Sequence, residues 1–173
     1  MGAAVVKRMS SVFLLVWMAG TLAGGARAWA GTCQVEGPGL KETQDYIKSL
    51  AHLDKLASYA DGTIYASTND YEWRVSALRL DCSSHGVARL EVGDPGPWGT
   101  YVSCSDQEEC VDKRQLHQAL GGYNQYHPNV FGLYGYDDAD AAARLDRALS
   151  HYVYLVQQQY KAAHANDPFA TPK

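Results

Sequence analysis

The chain has 173 residues, of which 46% are apolar and 20% charged, and a formal net charge of −4 at pH 7. A mildly acidic chain lacks the basic stripe that nucleic acid or an anionic membrane surface requires, so neither is expected as a partner. The length suits one domain with a real core, and no charge block, repeat or low-complexity tract divides it.

The N-terminus reads as a secretory signal peptide, residues 1–30. Lys7 and Arg8 form a short basic region, Ser11 to Ala26 an apolar run, and Ala28-Trp29-Ala30 the small-residue pattern of a cleavage site after Ala30. Gly20, Gly24 and Gly25 break the run and Arg27 follows it, so it is short for a membrane span. Thr32 before Cys33 is unlike a lipoprotein site. Export to the periplasm or beyond follows, with no stable membrane insertion after cleavage. Losing Lys7, Arg8 and Arg27 would take the formal charge to −7. A single globular domain is expected over residues 31–164, with a flexible tail at 165–173.

All four cysteines, Cys33, Cys82, Cys104 and Cys110, lie beyond that cleavage site. An even count in an oxidising compartment reads as two disulfides. Three connectivities exist. Cys104–Cys110, on one hairpin-like segment, is preferred, which leaves Cys33–Cys82 to tie the N-terminal lead to the sheet. The longer loop would contribute roughly 3–4 kcal/mol by restricting the unfolded chain. A redox pair would show two residues between its cysteines rather than five. A zinc site would show close-spaced partners that His117 lacks.

Leu40 to Tyr59 has helical periodicity, with Leu40, Thr43, Ile47, Leu50, Leu53 and Ala57 on one stripe. Tyr71, Trp73, Val75 and Ala77 alternate as a strand. The phase then slips so that Leu78, Leu80 and Cys82 continue the apolar face, which predicts a bulge. A turn at Ser83 to Gly86 leads to a strand over Val87 to Val92, then a loop at Asp94-Pro95-Gly96-Pro97 and a strand from Trp98 to Ser103. Asp112 to Leu120 reads as two helical turns. Tyr123 to Tyr136 reads as loop plus strand. A helix capped by Asp137 or Asp138 runs to about Tyr160. Its apolar stripe is Ala141, Leu145, Ala148, Leu149, Tyr152, Leu155, Val156 and Tyr160. Arg144, Asp146, Arg147, Ser150 and Gln157-Gln158-Gln159 fall largely on the other side.

Helix, strands and closing helix predict an α+β domain: an antiparallel sheet of about four to six short strands covered by both helices. LKETQDYI at Leu40 to Ile47, the strand–Cys–loop–Cys–Val segment at Tyr101 to Val111, and DDADAAARLDRALSHYVYLV at Asp137 to Val156 carry a resemblance. The chain resembles exported bacterial helix–strands–helix domains, mostly uncharacterised, with a pleckstrin-homology-like shape. That resemblance implies a shape and no activity.

No GxSxG elbow, HExxH pair or calcium loop is present in the sequence. Ser84 and His85 are adjacent, so in a strand they would point to opposite faces. The sequence therefore calls for no cofactor, no metal and no catalytic residue. The candidate binding residues are the acids of the cysteine loop, Asp106, Glu108 and Glu109, and the aromatics Tyr123, Tyr126, Phe131, Tyr134 and Tyr136. Twelve tyrosines are present. Those of this tract serve either as core against the last helix or as a recognition surface, where rigid amphipathic rings are favoured. The expectation is an exported, non-enzymatic domain that binds a protein or peptide of the cell envelope, in the manner of an inhibitor or immunity protein. The alternatives are an unrecognised hydrolase and a carrier of a small apolar ligand in a cavity lined by Trp73, Leu90 and Leu149.

Overall fold

A computed structural model describes residues 27–30, 32–89, 97–106, 108–116, 125–126, 128–136 and 138–165. The expected signal peptide to residue 26, the loop at 90–96 and most of the C-terminal tail lie outside the described residues. The chain is α+β. Its strands form two antiparallel sheets rather than one, accompanied by an N-terminal helix and a long C-terminal helix.

The first strand, β1 (Arg27–Ala30), pairs with β5. Cleavage after Ala30 would remove it and leave β5 as the sheet edge. Helix α1 covers Leu40–Ala51, with Gly39 N–H donating to the Glu42 carboxylate at its start. The helical stripe expected to reach Tyr59 stops there, because His52 takes a left-handed backbone (φ 50°) and closes the last turn. Leu53 and Leu56 still point inward. They do so from a connection and from strand β2 (Lys55–Ser58), which pairs with β3 (Thr63–Ser67).

Strand β4 (Tyr71–Ser76) follows, then a 3-10 turn at Ala77–Arg79, then β5 (Leu80–Arg89). The phase slip read as a bulge is that turn, and it carries the chain from one sheet to the other. A bulge does exist further on. Ser83 to Gly86, expected as a turn, lies inside β5, where the register against β6 (Trp98–Cys104) shifts between Asp81 and His85. Asp81 accepts hydrogen bonds there from the Ser83 backbone at 2.9 Å and the Ser83 hydroxyl at 2.6 Å. Short polar side chains divert the backbone in this way.

Asp112 to Leu120, expected as helical turns, begins as strand. β7 (Val111–Gln115) pairs with β4 on one side and with β8 (Gln125–Tyr126) on the other. Residues 117–120 lie outside the described residues. β9 (Val130–Tyr136) pairs with β6. The strand orders are β1-β5-β6-β9 and β2-β3-β4-β7-β8.

Helix α2 (Ala139–Ala163) is capped by Asp138, whose carboxylate accepts from the N–H groups of Asp140 and Ala141. It packs on the first sheet and against α1. Leu145, Leu149, Tyr152, Val153 and Val156 are buried together with Phe131, Val102 and Leu80 in one core cluster. Burial of a side chain of this size contributes about 1.5–3 kcal/mol. The residues expected on the solvent side of α2 are partly buried as well. Asp146 and Ser150 lie in the interior, and Gln157 turns inward, its amide donating to the carbonyls of Ala77 at 2.8 Å and Leu80 at 2.9 Å.

The cysteines pair as Cys33–Cys82 and Cys104–Cys110, with Cα–Cα distances of 4.9 and 5.9 Å. The second pair does not close a hairpin. β6 and β7 belong to different sheets, so its loop is a crossing between them. Ser150 supports the first pair by donating to the Cys82 carbonyl at 2.7 Å.

The two bridges span 49 and 6 residues. Replacing Cys33 and Cys82 by serine should cost roughly 4 kcal/mol, against roughly 2 kcal/mol for Cys104 and Cys110. Urea denaturation of the two double variants checks the order.

Candidate functional site

Strand alternation decides which side chains of β4 and β7 meet the core. Tyr71, Trp73 and Val75 share one face, and Glu72, Arg74 and Ser76 the other. The register aligns Leu56, Ala66, Trp73 and Lys113 in one row across β2, β3, β4 and β7. Lys113 therefore follows three buried apolar residues in a row whose next position is Tyr126 of β8. Its ammonium lies 4.4 Å from the Tyr71 ring centre and 5.6 Å from that of Trp73. Such contacts favour a cation by about 0.5–2 kcal/mol according to desolvation. Burial pulls the Lys113 pKa below the ordinary lysine value.

On the other side of this row stands β9. Phe131 and Leu133 face the core, while Val130, Gly132 and Tyr134 face away from it. The Tyr134 ring lies flat across Gly99 and Gly132, in the space that a Cβ at either glycine would need. A side chain at Gly132 would meet the Tyr134 hydroxyl at 2.6 Å, so glycine is what allows the ring to lie down. Burial, with the Tyr101 phenol nearby, pushes the Tyr134 pKa up. Tyr71, Trp73, Lys113, Pro128, Val130, Gly132 and Tyr134 enclose a cleft of about 260 Å³. Flat aromatic walls around one cation suit a ligand with an apolar part and an acceptor group.

The aromatic residues that the sequence marks as candidates separate on this framework into three groups. Tyr134 is 40% exposed and forms a wall of the cleft. Phe131 and Tyr136 are core residues, at 0% and 8% exposure. Alternation along β9 turns Phe131 toward α2, and it leaves neither ring for a partner. Burial also raises the Tyr136 pKa well beyond the ordinary tyrosine value. Tyr123 lies outside the described residues, and Tyr126 enters only through its backbone pairing with Lys113.

The acids of the cysteine loop form a separate patch. Asp106 accepts from Arg79 at 3.0 Å, and Glu108 stands 3.8 Å from the same guanidinium. Arg79 and the Glu108 backbone N–H hold the Asp106 carboxyl below the usual carboxylate range. Glu109 lines a shallow hollow with Arg74, Arg79 and Asp112. The loop is thus engaged with the protein's own arginine, in pairs that are exposed and individually weak.

Two polar clusters on α2 have no counterpart in the sequence pattern. Asp146 accepts from Thr100 at 3.0 Å and sits 2.8 Å from His85 Nδ1, which joins α2 to β6 and β5. His151 sets its two ring nitrogens 2.6 Å from the Gln34 carbonyl and 2.8 Å from that of Pro38, fixing the N-terminal lead. The histidine–aspartate pair resembles half of a hydrolytic site. Thr100 takes the other carboxylate oxygen, however, and none of the clefts described contains His85. Helical spacing alone placed Asp146 outward. Its pairing with His85, 61 residues away, carried no local signal.

Trp73 and Leu149, expected to line an apolar cavity, are packed in the core, and Leu90 lies outside the described residues. Among the described residues no group of three metal-ligating side chains forms, and no helix is long and apolar enough to cross a membrane.

Asp146→Ala would strand the Thr100 hydroxyl and the His85 ring N–H, at a cost of about 2–4 kcal/mol in urea denaturation. Asp146→Asn, which keeps an acceptor, should cost less. The buried phenol of Tyr152 is pushed up to about 12 from 10.0. Folding therefore favours its neutral form, and that stability is complete below pH 10 and lost as pH rises toward 12. Tyrosinate absorbance and circular dichroism should change together in that window; phenol ionisation that leaves the fold intact would contradict the burial of Tyr152. No family model, no curated protein and no solved structure matches the chain.

Proposed function

We propose that this is an exported, non-enzymatic domain that binds a protein or peptide of the cell envelope through the cleft between β4, β7 and β9, as inhibitors and immunity proteins do. One observation carries the reading: the partly exposed rings of Tyr71 and Tyr134, together with Trp73, only 6% exposed, line a single cleft that is open to solvent and contains a lysine. Tyrosine and tryptophan give large contact area for little lost side-chain entropy, which is why they dominate recognition surfaces. Glycines at 99 and 132 hold the Tyr134 ring in place, so this wall exists before a ligand arrives.

The two disulfides are compatible with an oxidising, exported location, the compartment that the N-terminal segment independently suggests. The acids of the cysteine loop lie outside this cleft and are not needed for the reading.

Selection of a random displayed peptide library against the disulfide-bonded protein tests the proposal. Binders should lose tenfold or more in affinity on Tyr134→Ala and keep it on Tyr59→Ala, an exposed tyrosine outside the cleft. Selected peptides that bind the Tyr134→Ala protein equally well would place recognition elsewhere.

A further inference from the structure

At position 113 a row of buried apolar residues in the five-stranded sheet is followed by a cation. Leu56, Ala66 and Trp73 precede Lys113 along its row. A buried ammonium is costly unless paired, and lysine in such a row would ordinarily find a carboxylate. Among the described residues none lies within ion-pair distance of Lys113 Nζ; its partners are the ring faces of Tyr71 and Trp73.

The nearby acids are spoken for on other faces. Glu72 and Asp112 alternate to the opposite side of the sheet, 3.6 and 3.3 Å from Arg114. Asp106 and Glu108 belong to Arg79. The cation is therefore held by aromatic walls in an open cleft, and these four acids are engaged by arginines instead.

We propose that this cleft receives a carboxylate carried by an extended peptide, with the Lys113 ammonium as its counter-charge and Tyr71, Trp73 and Tyr134 packing the adjoining apolar side chain. The proposal rests on the reading of the cleft as a peptide site and adds what the peptide must carry. A single lysine matches one negative charge. A polyanion such as nucleic acid would face the repulsion of a chain at net −4. An extended backbone is favoured because β9 is the last strand of its sheet among the described residues, and Val130 and Gly132 of that strand line the cleft. An added strand can pair with such an edge. The lowered lysine pKa agrees, since an arriving carboxylate would offset the burial that causes it.

The test uses the full disulfide-bonded protein and an array of hexapeptides tethered by their N-termini. Each is made with a free C-terminal carboxylate and as the carboxamide, and those with internal Asp or Glu are repeated with Asn or Gln. The expected result is at least tenfold tighter binding of the carboxylate forms, weakening with added salt. Whichever of the two comparisons shows the loss identifies the carboxylate as terminal or side-chain. The preference should vanish in Lys113→Met and Lys113→Gln, which keep most of the stem, and persist in Lys113→Arg. Circular dichroism and thermal melts confirm that each variant is folded. Equal binding of charged and neutral forms, still lost in Tyr134→Ala, overturns the role of Lys113 and leaves the peptide site standing. Binding indifferent to Tyr134→Ala, or none in any form, overturns both.

Discussion

Three of the crossings between the two sheets meet at one corner. Apart from the connection through α1 from β1 to β2, the chain crosses between its two sheets at the 3-10 turn Ala77–Arg79, at the loop closed by Cys104–Cys110, and at Pro128–Asn129. These crossings are tied together by backbone bonds. Ser105 N–H donates to the Arg79 carbonyl at 2.8 Å, Cys104 N–H to that of Asn129 at 2.9 Å, and Val111 N–H to that of Pro128 at 3.3 Å. Arg79 adds its guanidinium to the Asp106 carboxylate, and Gln157 reaches over from α2 to the carbonyls of Ala77 and Leu80 at the 3-10 turn. A disulfide and backbone hydrogen bonds gathered at one corner resist shear of one sheet against the other.

The cleft depends on that corner. Its walls come from different sheets, Tyr71, Trp73 and Lys113 from one and Val130, Gly132 and Tyr134 from the other. Pro128, at the third crossing, closes its end. The cysteine loop thus bears on the cleft at a distance, through the corner from which its two walls diverge. Of the loop's acids, Asp106 and Glu108 are paired with Arg79.

Helix α2 shows why solvent and core are hard to separate by helical spacing alone. Asp146, Ser150, His151 and Gln157 all carry polar groups into the interior, and all find hydrogen-bond partners there. The helix is walled by the first sheet on one side and by the lead segment and α1 on others. A helix enclosed this way has little solvent face along its middle turns, so polar residues there become ties between elements.

The α+β class, both helices, the strands around Trp98 and Val130, and the two disulfides were legible in the sequence. Each rests on a local or compositional signal: apolar periodicity, an Asp cap, or an even cysteine count behind an export-like leader. The helix boundary at His52, the split into two sheets and the strand at Val111 were not legible. Stripe residues such as Leu53 and Leu56 read the same whether a helix or a strand turns them inward. The candidate site was legible only in part. Tyr134 was marked by composition, whereas Phe131 and Tyr136 shared its composition and went to the core. Lys113 and Trp73 become neighbours only through the pairing of β4 with β7, and they meet Tyr134 only across the sheets. Local patterns encode which face of an element is apolar; which faces meet is set by the long-range pairing that the tertiary structure alone provides.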